Sequence, residues 1–178
     1  MPLVEKRYAE AMVDLSVQNN AIDICQQELG TIAEIYAIQP DLKDFLLNPQ
    51  ADIETKKKIL KNIFSGRLGN DIMSFLMLLL DKGRIKYLPG IYKEFVKLAD
   101  EKRSILNITI ITAVPLDPVQ LKKLAEKYRS HYGAASVKVI TELDTSLIGG
   151  VKVIIGDKLV DGSVKGRLKE LQDMLVNI

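Results

Sequence analysis

Tryptophan is absent from this 178-residue chain, and cysteine and histidine occur once each. A single thiol excludes an internal disulfide framework and a cysteine-rich zinc site. A single imidazole leaves no set of His ligands for a metal centre. Charge of one sign is also scarce: Lys+Arg 25 against Asp+Glu 23 leaves a net charge of +2, far from the basic excess of a nucleic-acid binder. The longest apolar run, Ile72 to Leu80 with Ser74 inside it, is about half of what a bilayer span requires. The opening Met1-Pro2-Leu3-Val4-Glu5-Lys6-Arg7 places charges where a signal peptide needs its apolar stretch. What is present, 47% apolar residues against 27% charged, predicts a soluble, globular, intracellular protein of one domain or two small ones. It offers little raw material for catalysis.

Helical periodicity fills residues 1–103. Val4, Tyr8, Ala11, Met12 and Leu15 fall at i, i+4, i+7, i+8 and i+11, one stripe of a first helix. After Asn19-Asn20, a second stripe of Ile22, Cys25, Leu29, Ile32 and Tyr36 closes before Pro40. Asp41 to Leu47 reads as a short third helix, stopped at Asn48-Pro49 because proline disfavours the α conformation in the residue before it. Asp52 reads as the N-cap of a fourth, with Ile59, Leu60, Ile63 and Phe64 inward and Gly66 past its end. A fifth helix opens at Asn70 or Asp71 and ends at Gly83; a sixth follows Pro89, with Ile91, Phe95, Leu98 and Ala99 on one side.

The pattern then changes. Residues 106–113 are β-branched and largely alternating, which predicts a strand. Asp117 caps a helix that Gly133 terminates, residues 137–141 and 151–155 read as strands, and Gly156-Asp157 turns the chain into a fourth strand over 158–160. Ser163 caps a last helix with Val164, Leu168, Leu171 and Leu175 as its stripe. The expected fold class is therefore α+β: an N-terminal six-helix bundle over 1–103, then a strand-helix-strand-strand-strand-helix domain over 104–178.

The candidate chemistry is thin. Gly149-Gly150 precedes a strand and not a helix N-terminus, so it reads as a bend where backbones pack closely and not as a phosphate loop. Asp144, Asp157 and Asp161 read as turn formers, His131 as a helix-end surface residue, Cys25 as an inert buried thiol and Lys56-Lys57-Lys58 as a solvated helix face. The strands carry no Phe, Tyr or Trp on which bases could stack, so nucleic acid is not an expected partner. Neither a cofactor nor a metal is expected. One feature stands out. The fifth helix is apolar on nearly every face, so it is either buried centrally or partly presented to a partner helix.

Three stretches carry a family resemblance: Arg7-Tyr8-Ala9-Glu10-Ala11-Met12; Phe75 to Leu79 followed by Arg84, Leu88, Ile91 and Phe95; and Leu147 to Val153 with Gly156-Asp157, Asp161-Gly162-Ser163 and Leu168. From end to end the chain resembles the delta subunit of the bacterial F-type ATP synthase, and it is similar to the mitochondrial oligomycin-sensitivity-conferring protein. The resemblance implies a non-catalytic subunit of the peripheral stalk at the cytoplasmic face of the cell membrane, without direct membrane insertion. It implies that the helical domain binds the N-terminal helix of an alpha subunit in a groove between the first and fifth helices. Carried onto this sequence, the groove is expected to be lined by Tyr8, Ala11, Met12 and Leu15 and by Ile72, Leu76, Leu79 and Leu80. The C-terminal domain is implied to hold the b subunits of the stalk, with Lys165, Arg167 and Lys169 of the last helix meeting them. A free-standing adaptor with the same two domains is the rival reading, and a small enzyme the third.

Overall fold

A computed structural model describes residues 2–168 and 172 of the chain. Helices and strands segregate along the sequence, as the α+β expectation has it, and the chain divides into two compact units, Met1–Ala99 and Asp100–Ile178.

The first unit is helical: α1 (Pro2–Gln18), α2 (Ile22–Ile38), α3 (Pro40–Leu47), α4 (Ile53–Phe64), α5 (Asn70–Asp81) and α6 (Leu88–Lys102), with a 3-10 turn at Ile85–Tyr87 before α6. Each boundary has a local cause. Asn20 takes a positive φ of 50° between α1 and α2, a conformation that asparagine tolerates better than most residues. The third helix begins one residue earlier than its pattern suggests, because Pro40 fills the first-turn position where a missing N–H costs nothing. Asp52 caps α4 by accepting a hydrogen bond from the Thr55 amide at 3.1 Å. No side-chain cap closes α5; instead the Gly69 amide donates to the Glu28 carboxylate of α2 at 3.0 Å.

One core joins these helices, built around Met12, Leu29, Leu60, Phe64, Ile72, Leu76, Leu79, Leu88, Ile91 and Phe95, each no more than 2% exposed. The core face of α1 is Ala9, Met12, Val13 and Ser16, rotated from the stripe of Val4, Tyr8, Ala11, Met12 and Leu15 that the sequence emphasises. Only Met12 belongs to both. In α4, Leu60 and Phe64 are buried as expected, Ile59 is half-buried, and Ile63 is exposed.

The second unit contains a sheet of β1 (Ile105–Thr112), β2 (Ser136–Leu143), β3 (Val151–Ile155) and β4 (Lys158–Asp161), in the order β2-β1-β3-β4. The connection from β1 to β2 runs through α7 (Pro118–Tyr132), so the two strands are parallel, whereas β3 returns antiparallel to β1 and pairs with β4 through the Gly156-Asp157 turn. Asp117 and Gln120 form a reciprocal capping box at the start of α7, and Gly133 ends it in the left-handed conformation. Alternate residues Ile108, Ile110, Val153 and Ile155 form the buried face, packed with Leu121, Leu124 and Tyr128 of α7. The last turn of α6 belongs to this unit: the buried Asp100 carboxylate accepts from Lys138 Nζ at 2.6 Å and from Asn107 Nδ2 at 2.9 Å. Residues 164–168 are helical, started by Ser163, whose hydroxyl accepts from the Gly166 amide at 3.0 Å.

Candidate functional site

The first unit holds an apolar groove of about 690 Å³. Its α1 wall is Leu3, Val4, Arg7, Tyr8, Ala11, Met12 and Leu15, which contains the whole stripe seen in the sequence and shares only the buried Met12 with the core face of α1. Its other wall is Asp71, Ser74, Phe75 and Leu78 of α5, continued by Lys82 and Arg84. The two helices run antiparallel along it. Asn19, just after α1, donates to the Asp71 carboxylate in the first turn of α5 at 2.8 Å. Midway, the Tyr8 and Phe75 rings meet edge to face with centroids 6.2 Å apart, a geometry that aromatic quadrupoles favour. Met12, 2% exposed, forms the floor, while Leu78 and Leu3 stand open at 43% and 83%.

Of the residues expected to line this groove, the structure brings Tyr8, Ala11, Met12 and Leu15 together there. It places Ile72, Leu76, Leu79 and Leu80 elsewhere: all four are buried in the core, on a different face of α5. The cause is the 3.6-residue period. Asp71, Ser74, Phe75, Leu78 and Lys82 form one face of α5, and Ile72, Leu76, Leu79 and Leu80 another. The groove face is half polar, and its large apolar members, Phe75 and Leu78, are hidden within an unbroken apolar run. A sequence signal for them exists, namely the i, i+3, i+4, i+7 spacing that carries Asp71 and Ser74 beside them. Arg7, Lys82 and Arg84 carry no such signal, because charged residues on a helix or just past its end read as ordinary surface.

In the second unit, Lys165 and Arg167 are exposed on the helical segment after Ser163; Lys169, Leu171 and Leu175 lie outside the described residues. Val164 and Leu168 are exposed at 44% and 55%, so the described part of that stripe is not core. Gly149-Gly150 is a site of close backbone approach. Gly150 has φ +78°, and a Cβ there would lie 2.5 Å from the Gly162 carbonyl oxygen. The Val164 amide donates to the Gly149 carbonyl at 3.0 Å, and the Gly162 amide to that of Val151 at 2.9 Å.

The other candidates are bound up in local structure. Asp144 accepts from the Ser146 amide, and Asp161 from the Ser163 amide, both at 2.9 Å; hydrogen bonding with these serines holds both carboxyls below the usual range. Burial pushes the Cys25 thiol up, with Glu28 and Asp71 adding to the shift, so it is a poor nucleophile. His131 stacks edge to face on Tyr132 near the end of α7. The lysine run is more engaged than a solvated face: Lys56 Nζ donates to the Asn48 carbonyl at 2.6 Å, and Lys57 bridges Glu54 at 3.1 Å and Asp81 at 2.8 Å. Among the described residues, no helix is long and apolar enough to cross a membrane.

Comparison with known proteins places this geometry in context. The family profile described as "ATP synthase delta (OSCP) subunit" matches residues 4–175. The chain is 41% identical to the ATP synthase subunit delta of Ruminiclostridium cellulolyticum, covering 98% of this chain and 99% of that one. It is 42% identical to the subunit of the same name from Acetivibrio thermocellus, over 99% of both. The fold is similar to a chain in the cryo-EM structure of the Toxoplasma gondii mitochondrial ATP synthase hexamer, with a TM-score of 0.70, 19% identity and 97% of each chain covered.

Proposed function

The chain belongs to the ATP synthase delta (OSCP) subunit family and is a structural, non-catalytic subunit of the peripheral stalk, and from that premise we propose that its two parts each hold one neighbour. It associates with the membrane-bound ATP synthase as a peripheral component. Residues 1–103, acting as a six-helix bundle, seat the N-terminal helix of an alpha subunit at the top of the catalytic head. Residues 104–178 hold the b subunits through the region of Lys165, Arg167 and Lys169, at the cytoplasmic face of the membrane. The linkage keeps the head from turning with the rotor, so that ion-driven rotation does work on the catalytic sites.

The observation that carries the first half of this reading is the apolar groove between α1 and α5. An amphipathic helix docks in such a groove through anchors at i, i+3, i+4 and i+7, and removing exposed apolar area from water contributes about 25 cal/mol per Å². Leu78 and Leu3 are the open members that such a helix would cover. The second half is supported by the two exposed cations that follow Ser163.

Calorimetric titration tests both halves. A synthetic peptide of the alpha-subunit N-terminal helix should bind the whole chain, and Leu78→Asp should weaken it by roughly tenfold or more, since a central anchor is worth about 1–2 kcal/mol. A chain ended after residue 104 should keep the alpha peptide and lose a soluble b-subunit fragment. Loss of both partners on truncation, or a folded Leu78→Asp variant with unchanged affinity, would refute the division of labour.

A further inference from the structure

Among the described residues, Asp100 is the only charged side chain that is fully buried, at 1% exposure. It sits in the last turn of α6, where a carboxylate has the wrong sign for the helix dipole and so does not stabilise the helix itself. Its partners lie outside the helix. One oxygen accepts from Lys138 Nζ at 2.6 Å, and the other from Lys138 Nζ and from Asn107 Nδ2, both at 2.9 Å. Asn107 of β1 and Lys138 of β2 are register partners in the parallel pair, so one carboxylate grips two adjacent strands. The helix belongs to both units: Leu88, Ile91, Phe95 and Ala99 are core residues of the first, and the second begins at Asp100. Only Arg103 and Ser104 separate α6 from β1, and Ser104 is held at φ 55°, a left-handed conformation that is strained for most residues other than glycine.

We infer that Asp100 is a positioning residue of the load path: it fastens the last turn of α6 to β1 and β2 together, so that a pull carried along α6 enters the sheet through two strands and bypasses the strained turn at Ser104. The inference goes beyond the division of labour proposed above and does not depend on which residues hold either neighbour. Hydrogen bonds to an ionised carboxylate are roughly twice as strong as neutral ones, and a pull on two paired strands is spread over the ladder they share. Both partners can return to water once the carboxylate is gone, because Asn107 is exposed and the Lys138 side chain is 46% exposed. Truncating Asp100 therefore strands no buried charge, whereas truncating Lys138 would. The Asp100 variant tests the attachment and not the fold.

The test compares the whole chain with Asp100→Ala, with Asp100→Asn, which keeps one acceptor oxygen, and with Asp14→Ala, which removes an exposed acid of α1 as a control. Amide hydrogen exchange reads the attachment. Asp100→Ala should speed exchange across residues 101–104 by roughly 10- to 100-fold, as loss of charge-assisted hydrogen bonds shifts a local opening equilibrium. Asp100→Asn should fall between, and the buried residues of α5 should exchange as before. The functional readout is gradient-driven ATP synthesis by membranes stripped of the subunit and resupplied with each chain, compared at equal subunit retained after washing. Asp100→Ala should be retained like the unaltered chain yet restore less synthesis. Asp100→Asn should recover part of that loss, and Asp14→Ala should match the unaltered chain. A merely structural role would lower retention and synthesis together. Unchanged exchange at 101–104, retention that falls in step with synthesis, or full synthesis by Asp100→Ala overturns the inference.

Discussion

Leu76 and Leu78 stand two positions apart on α5, and the period of the helix sends them to different surroundings. Leu76 is fully buried among the core helices; Leu78 is 43% exposed at the groove. Their truncations should therefore separate stability from binding. Leu76→Ala should cost about 2–5 kcal/mol, because the removed methyls leave a cavity in a packed interior. Leu78→Ala should stay within about 1 kcal/mol, as surface substitutions do, and urea unfolding of the two variants checks both figures. Equal losses would mean that the assignment of faces is wrong. The same pair shows how far residues can be read from sequence. Apolar periodicity groups Tyr8, Ala11, Met12 and Leu15 on one stripe of α1, and the four do line the same groove, although Ala9 and Val13 form a second apolar face that the stripe does not include. In α5 nearly every position from Ile72 to Leu80 is apolar, so only Asp71 and Ser74 mark the presented face against the core one. The close approach at Gly149-Gly150 was legible because a glycine pair before a β-branched run has few other uses, and the left-handed Gly150 against the Gly162 carbonyl supplies the reason.

Among the elements, those with strong end signals were legible to within a residue or two. Asp52 before α4, Asp117 before α7 and Gly133 after it do what their positions suggest. Strand existence followed from alternation, but strand order did not. The buried residues of β1 fit a central strand or an edge one equally well, and only the register shows β1 lying between β2 and β3. The α7 crossover makes the β1–β2 pairing parallel, and its seating depends on that helix keeping its start. Asp117→Ala removes the acceptor for the Gln120 amide, a bond of 2.7 Å, and leaves only the reciprocal half, in which the backbone amide of residue 117 donates to Gln120 Oε1 at 3.1 Å. A loss of about 1 kcal/mol is expected, read as a lower midpoint in thermal unfolding, with alpha-peptide affinity unchanged because the groove lies in the other unit. A variant that lost peptide affinity would show that the two units are not energetically independent.

At the scale of the molecule, two compact units each close their own core, one of helices and one of a sheet against α7. Composition offers little raw material for catalysis but leaves a small enzyme open and names no role; the ordered motifs from Arg7 to Leu168 point to one, and the match over residues 4–175 agrees. The pairing of α1 with α5 is not legible in the sequence, since the two helices meet across more than fifty residues of chain, as the Asn19–Asp71 bond shows. The central claim is that this subunit transmits load between neighbours and performs no chemistry. The most direct measurement is gradient-driven ATP synthesis in membranes stripped of the subunit and then supplied with purified chain. The unaltered chain should restore synthesis, and folded Leu78→Asp should restore much less at equal concentration while the chain alone turns over no ATP. Full restoration by Leu78→Asp, or ATP turnover by the isolated chain, would contradict the account.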